Sequence, residues 1–103
     1  MKMIVIYRTP VNTAAFDEHY FKIHIPLAKK LPGLRKYEVS TGSIVPLIGD
    51  KKPYLIGILH FDDMAAFRIA FESDAGKACA EDRKILAPDN DDVQIFLFDN
   101  KEV

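Results

Sequence analysis

Four short stretches of the chain have the arrangement of apolar and polar residues that is typical of β-strands. Three of them are nearly continuous apolar runs, and in the remaining stretch Tyr37 and Val39 fall on one face. Proline, glycine and other turn-forming residues mark the ends of these stretches. The predicted strands are residues 2–8, 35–41, 54–61 and 93–98.

Two of the intervening segments have the apolar spacing of amphipathic helices. The first covers about residues 13–31, and its apolar residues recur at intervals of three and four. Pro26 lies inside this helix and has no backbone N–H, so we expect a kink near residues 22–26. The second segment starts at Asp62 or Asp63, which caps its first helix, is interrupted at Ser73 to Gly76, and continues as a further helix to about Leu86.

The order of these elements predicts an α+β fold of the ferredoxin-like type, βαββαβ, with an antiparallel sheet. Right-handed crossovers place both helical segments on the same face of such a sheet. A sheet with one wet face alternates apolar and polar residues, but three of these strands are apolar throughout. The second face would therefore expose a large apolar patch, and we predict that two copies pair as a homodimer through this open face.

Length, charge and cysteine content exclude several classes of protein. The 103 residues suffice for a single domain over 1–103, and a net charge of −1 offers no basic surplus for nucleic acid. RNA-recognition modules share the strand order, but the strand at 54–61 lacks their aromatic pattern. One cysteine cannot form an intrachain disulfide. No segment is apolar over the ~18 residues of a membrane span, so we expect a cytoplasmic protein without membrane contact.

The sequence contains no pattern that indicates a metal or a cofactor. His19 and His24 are five residues apart, which separates them by about 140° on a regular α-helix, whereas helical zinc pairs are four residues apart. The acidic run at 89–92 lacks the ligand spacing of a calcium loop. Dinucleotide and phosphate-loop motifs are also missing. We therefore expect no metal site and no cofactor.

Three segments resemble the EthD family, named for ethyl tert-butyl ether degradation. They are the helix Phe16-Asp-Glu-His-Tyr-Phe-Lys-Ile-His-Ile-Pro-Leu-Ala28, the turn Leu31-Pro-Gly-Leu34, and the stretch from Ala66 to Asp82. The resemblance spans nearly the whole chain and implies a ferredoxin-like dimeric α+β barrel. It does not imply one reaction, because the wider superfamily includes lactone isomerases, polyketide cyclases, cofactor-free monooxygenases and haem-degrading enzymes.

The turn and strand at Pro32–Val39 are also similar to the lactone methyl-isomerase branch. That branch places a helix histidine and a strand tyrosine in its pocket, and the matching residues here are His24 and Tyr37. We predict His24 as a general acid/base and Tyr37 as the donor to an oxyanion. The alternatives are a capping or core histidine and a core-edge tyrosine. The sequence departs from that branch after His24, so the substrate does not carry over.

Aromatic residues at helical spacing predict the wall of a small apolar pocket. Tyr20, Phe67 and Phe71 would line its helix side, since ligand pockets are mostly apolar with few polar groups. His60 ends the strand at 54–61 and is predicted to face the same cavity, with a surface histidine as the alternative. For Asp82 the pattern favours a helix-surface role.

Three functions are compatible with these residues. The first is a cofactor-independent isomerase, cyclase or monooxygenase acting on a small apolar carbonyl compound or lactone. The second is a non-catalytic ligand-binding or accessory protein of a catabolic pathway, in which His24 and Tyr37 do not converge on the ligand. The third, with the least support, is a haem-binding barrel that uses a pocket histidine.

Overall fold

Four antiparallel strands form one sheet in the order β2-β3-β1-β4 in the computed structural model, which describes residues 1–103. The strands are β1 Lys2–Tyr7, β2 Lys36–Val39, β3 Leu55–His60 and β4 Val93–Phe98. Strand β1 pairs with β3 and β4, and β2 pairs with the other edge of β3. This topology confirms the predicted ferredoxin-like α+β fold.

The helices are α1 Thr13–His19, α2 Ile25–Ala28, α3 Met64–Glu72 and α4 Asp74–Leu86, with a π-helical turn at Tyr20–His24 and a 3-10 turn at Asn90–Asp92. The side chain of Asp63 caps α3, as one of the two predicted capping residues. No helix combines the length and the apolar character that crossing a lipid bilayer requires.

The kink predicted near residues 22–26 is a π-helical turn that begins earlier, at Tyr20. Pro26 has no N–H to donate, and the N–H of Ile25 bonds the carbonyl of Tyr20, five residues back. The helical segment also ends at Ala28, three residues before the predicted end, because bonds of the tighter i→i+3 type close the chain after it.

The helices cover one face of the sheet and build the core there. Alternate residues of the central strands point towards the helices, and these are buried. They are Val5 and Tyr7 of β1 and Leu55 and Leu59 of β3. Helices α3 and α4 meet closely at Gly76, where a Cβ atom would overlap the backbone of α3.

The opposite face of the sheet has no covering layer. The strand register aligns apolar side chains across three strands, with Ile4 beside both Ile58 and Phe96. Phe96 and Phe98 are 45% and 41% exposed. We call this surface the open face, and its apolar residues are Ile4, Ile6, Ile56, Ile58, Phe96 and Phe98. It is the unpartnered apolar patch that the strand pattern predicts.

Candidate active site

A cavity of about 260 Å³ lies between the covered face of the sheet and the helices. Thirteen of its fifteen lining residues are hydrophobic, so the few polar groups stand out against an apolar wall. The volume is just below the roughly 300–1,000 Å³ typical of pockets for drug-sized ligands, which favours a small ligand. A wider surface depression of about 960 Å³ is lined mostly by polar loop residues and contains none of the predicted site residues.

Five of the six predicted site residues line this cavity. They are His24, Tyr37, Tyr20, Phe67 and Phe71. The rings of Phe67 and Phe71 are 4.8 Å apart, and the ring of Tyr20 lies 5.4 Å from that of His24.

His60 does not face the cavity, which corrects the expectation from the sequence. Its neighbour Leu59 lines the cavity, and successive strand residues point to opposite sides, so His60 lies on the other side of the sheet. There His60 Nε2 is 2.6 Å from Oε1 of Glu38, and Nδ1 contacts Lys2 Nζ. His60 therefore belongs to the polar end of the open face.

Asp82 joins a buried histidine and a partly buried one in a hydrogen-bonded cluster. His24 Nδ1 is 2.9 Å from Oδ2 of Asp82, and His19 Nε2 is 2.9 Å from Oδ1. The carboxylate is only 7% exposed, so the surface role expected for Asp82 is wrong. Its spacing from the buried residues Cys79 and Leu86 was the available signal, because residues three and four apart share one face of a helix.

The π-helical turn explains how one carboxylate reaches both histidines. Its hydrogen bonds join residues five apart, and His19 and His24 are separated by five positions. The wider turn brings them to the same side of the helix, whereas a regular α-helix would hold them about 140° apart. Asp82 in α4 then contacts both rings.

The Asp82 contact fixes the chemical form of His24. A carboxylate only accepts, so His24 donates through Nδ1–H and its Nε2 carries the lone pair. Every buried side-chain nitrogen or oxygen has a hydrogen-bond partner. Nε2 of His24 has no such partner, so this atom must be accessible. Burial lowers the pKa of His24 below 6.5, and this outweighs the opposing effect of Asp82. At neutral pH His24 is therefore a neutral base beside the cavity.

Two tyrosine hydroxyls form the second polar group of the cavity. The Oη atoms of Tyr20 and Tyr37 are 2.5 Å apart, and neither bonds another group of the chain. Burial raises the pKa of both residues above the ordinary value of 10, so both stay protonated. Either hydroxyl can donate in this bond, and the one that accepts keeps its own proton free, so the pair has one hydroxyl proton left for a ligand.

Gly57 of β3 leaves the space in which these hydroxyls lie. A Cβ atom at this position would be 3.0 Å from Oη of Tyr20 and 3.8 Å from Oη of Tyr37. A residue with a side chain would therefore press against the hydroxyl pair.

Arg83 and Cys79 also line the cavity, and sequence reasoning assigned neither to the site. Nη1 of Arg83 donates to the carbonyl of Ala87 at 3.1 Å. Burial raises the pKa of Cys79 to about 11, so its thiol is protonated. No cluster of three or more His, Cys, Asp or Glu side chains is arranged to hold a metal ion.

The topology defines an α+β protein of the ferredoxin-like class, with one uncovered apolar face and a small cavity on the other side of its sheet. Residues 8–88 match the EthD domain, and the chain belongs to the EthD family. It is similar to an EthD family protein from Bacillus halodurans, with 34% identity, a TM-score of 0.85 and 97% of each chain covered. An uncharacterized 11.0 kDa protein of the thcB-thcC intergenic region of Rhodococcus erythropolis is 32% identical over 82 residues, covering 79% of this chain and 78% of that protein.

Two more distant crystal structures share the fold. A dimeric ferredoxin-like protein of unknown function from Thermobifida fusca is 19% identical with a TM-score of 0.65, covering 92% of this chain and 85% of that one. A mutant of SnoaB, a cofactor-independent oxygenase from Streptomyces nogalater, is 17% identical with a TM-score of 0.66, covering 99% and 93%. At these identities the likeness is one of fold.

Proposed function

We propose that this protein is a cofactor-independent enzyme that moves a proton on a small, largely apolar carbonyl compound, such as a lactone, quinone or cyclic ketone. The observation that carries this proposal is the 2.9 Å bond from His24 Nδ1 to Asp82, at a cavity that also holds the Tyr37 hydroxyl. A carboxylate-oriented histidine and a phenol donor that line the same cavity are suited to acid–base chemistry.

In this mechanism Nε2 of His24 removes a proton from the carbon next to the substrate carbonyl. The electrons of the C–H bond move into the carbonyl group, and the resulting enolate oxygen accepts a hydrogen bond from Tyr37. Asp82 stabilises the imidazolium that forms. The imidazolium returns its proton to another carbon or to oxygen, which gives an isomer and restores neutral His24.

A non-catalytic binding protein is the alternative function. It predicts that His24 and Tyr37 do not converge, and the fact that both residues line one small cavity supports the enzyme instead. A haem-binding function has less support, because a haem is larger than the drug-sized ligands for which this cavity is already small.

We also propose that the open face pairs with a second copy of the chain. Its aligned isoleucine and phenylalanine side chains form a continuous apolar surface, which a lone subunit would expose to water. The dimeric relative from Thermobifida fusca has the same fold and supports this assembly.

His24→Gln tests the catalytic proposal. The native protein is incubated in D₂O with a panel of small lactones and cyclic ketones, and exchange of the α-protons is followed by NMR. We expect exchange of at least one compound, and a decrease of roughly 10²–10⁴-fold in His24→Gln, which lacks the base.

His60→Gln is the matched control, because it removes a histidine from the other side of the sheet. It should retain the native exchange rate. Circular dichroism checks that both variants are folded. Full exchange activity in a folded His24→Gln variant, or no exchange of any compound by the native protein, would contradict the enzyme and favour the binding protein.

A further inference from the structure

One of the residues that line the apolar cavity, Arg83, carries a permanent positive charge. This residue lies in the last turn of α4 and belongs to the cavity wall together with His24 and Tyr37. Its Nη1 donates to the carbonyl of Ala87 at 3.1 Å, and this bond anchors the side chain near the end of the helix. An arginine is charged at every pH at which the protein is folded.

Arg83 has no acidic partner within the chain. Seven ion pairs are present and none includes it, whereas Arg35 is 2.7 Å from Oδ2 of Asp62. The adjacent residue Asp82 is occupied by two histidines. One of the five guanidinium N–H groups is used by Ala87, and no buried polar atom lacks a partner, so the remaining donors are accessible.

An unpaired cation on an apolar wall favours an anionic ligand. Electrostatic attraction is stronger there than in water, and hydrogen bonds between a guanidinium and a carboxylate are among the strongest in proteins. The same wall offers Phe67 and Phe71, which are suited to an apolar ring.

We propose that the ligand of this cavity is a small apolar carboxylic acid whose carboxylate binds Arg83 while its apolar part packs against Phe67 and Phe71. This inference deepens the proposed function, since it names the chemical class of the substrate at the same cavity. It assigns Arg83 to ligand binding and not to proton transfer. Under the competing interpretation, Arg83 only caps the carbonyl end of α4 through Ala87.

The test compares benzoate with benzamide, which have nearly the same shape but differ in charge. Their dissociation constants are measured by calorimetry at pH 7.5 with the full-length native protein, Arg83→Gln and Arg83→Lys. We expect the native protein to bind benzoate at least tenfold more tightly than benzamide. Arg83→Gln should lose that preference without weaker binding of benzamide, and Arg83→Lys, which keeps the charge, should retain part of it.

Lys84→Gln is the matched control. It changes the net charge by the same amount, but Lys84 lies on the exposed side of α4, 3.1 Å from Glu81. This variant should keep the native preference. Arg83→Lys remains informative if Arg83→Gln is too unstable to measure. If Arg83→Lys bound benzoate no more tightly than benzamide, the result would contradict the proposal.

Three results would overturn the inference. The first is native binding of benzoate no tighter than that of benzamide, including no binding of either at millimolar concentration. The second is an unchanged preference in Arg83→Gln, and the third is an equal loss in Lys84→Gln. The two proposals fail separately, because the native preference for benzoate over benzamide is measured by binding alone, whether or not the native protein exchanges protons.

Discussion

The two sides of the sheet treat polar groups in opposite ways. On the covered side, buried polar side chains are joined in specific bonds, from His24 and His19 to Asp82 and between Tyr20 and Tyr37. On the open face, a half-exposed apolar surface lies around Ile4, and His60 forms a separate polar cluster with Lys2 and Glu38. The proposed chemistry and the proposed assembly therefore use different sides of a single sheet.

Single-residue steps along a strand separate these two roles. Leu59 lines the cavity while His60 faces away, and Tyr37 lines it while Glu38 bonds His60. Because side chains alternate strictly in a strand, a substitution on one side leaves the other largely unchanged. This allows variants that affect assembly to be distinguished from variants that affect the site.

Ile58→Glu should produce the largest effect, on the open face. Ile58 lies at the centre of that face beside Ile4, so the new carboxylate would be buried twice in a symmetric dimer. We expect the dissociation constant of the dimer to rise by roughly a thousandfold or more, about 4 kcal/mol. Analytical ultracentrifugation over a range of concentrations measures this change.

Ile69→Glu is the control for Ile58→Glu, because Ile69 of α3 is already 64% exposed. The same substitution there should leave the dimer intact. If both variants dissociated equally, the added charge would weaken the dimer wherever it lies on the surface. If Ile58→Glu remained dimeric, the open face would be excluded as the interface.

Asp82→Asn should have the next largest effect, on the covered side. The amide keeps one acceptor oxygen but presents an NH₂ group to a histidine that donates, so one of two buried bonds is lost. We expect the free energy of unfolding to fall by about 3 kcal/mol in urea titrations. Proton exchange should fall roughly 10²–10⁴-fold, because His24 loses its fixed tautomer.

Glu81→Gln provides the comparison for Asp82→Asn. It is the neighbouring residue of α4, exposed and paired with Lys84, and removing its charge should cost less than about 0.5 kcal/mol. Similar losses in the two variants would contradict the assignment of Asp82 to the core of the site.

The sequence was sufficient to predict the fold and several aromatic residues of the cavity wall. The strand order, the uncovered apolar face and the helix positions follow from local periodicity, which is why Tyr20, Phe67 and Phe71 were correctly placed at the cavity. These positions depend only on which side of an element a residue occupies.

The polar connections were beyond what periodicity predicts. The bond between His24 and Asp82 joins residues 58 positions apart, and it needs a π-helical turn that breaks the regular 100° step. The angle between His19 and His24 was wrong because it assumed a regular α-helix. His60 was misplaced because alternation shows only that Leu59 and His60 face opposite sides of the sheet. Which of the two faces the helices depends on how β3 pairs with its neighbouring strands.

Gly57→Ala should give a smaller loss and tests how tightly the tyrosine pair is held. The added methyl would lie 3.0 Å from Oη of Tyr20, closer than ordinary van der Waals contact. We expect a decrease of about 1.5 kcal/mol in the free energy of unfolding, as for other overpacked cores.

The combination of Gly57→Ala with Tyr20→Phe checks the cause of that loss, because Tyr20→Phe removes the hydroxyl that the methyl would meet. The double variant should lose less than the sum of the two single losses. Strictly additive losses would show that the hydroxyl is not what the methyl presses against.

The smallest of these effects should be the change of the free energy of unfolding with pH. Among the groups whose pKa is shifted, His24 alone produces this change near neutral pH. Burial holds the pKa of His24 below 6.5, so between that pH and its folded value the unfolded chain binds a proton that the folded protein does not. Stability is therefore fully present above about pH 6.5 and decreases as the pH falls through the folded pKa. Glu38 and Asp62, whose pKa values are also lowered, by hydrogen bonds to His60 and Arg35, titrate below this range.

Urea unfolding between pH 7 and pH 5 measures this contribution as the difference between native protein and His24→Gln. The groups that face His24 from the neighbouring elements are Asp82, His19, Arg83 and Tyr20, and all are retained in the variant. The native curve should decline more steeply than that of His24→Gln. Parallel native and His24→Gln curves would mean that His24 is as readily protonated in the fold as in water. The covered side would then lack the desolvated base that distinguishes it from the open face.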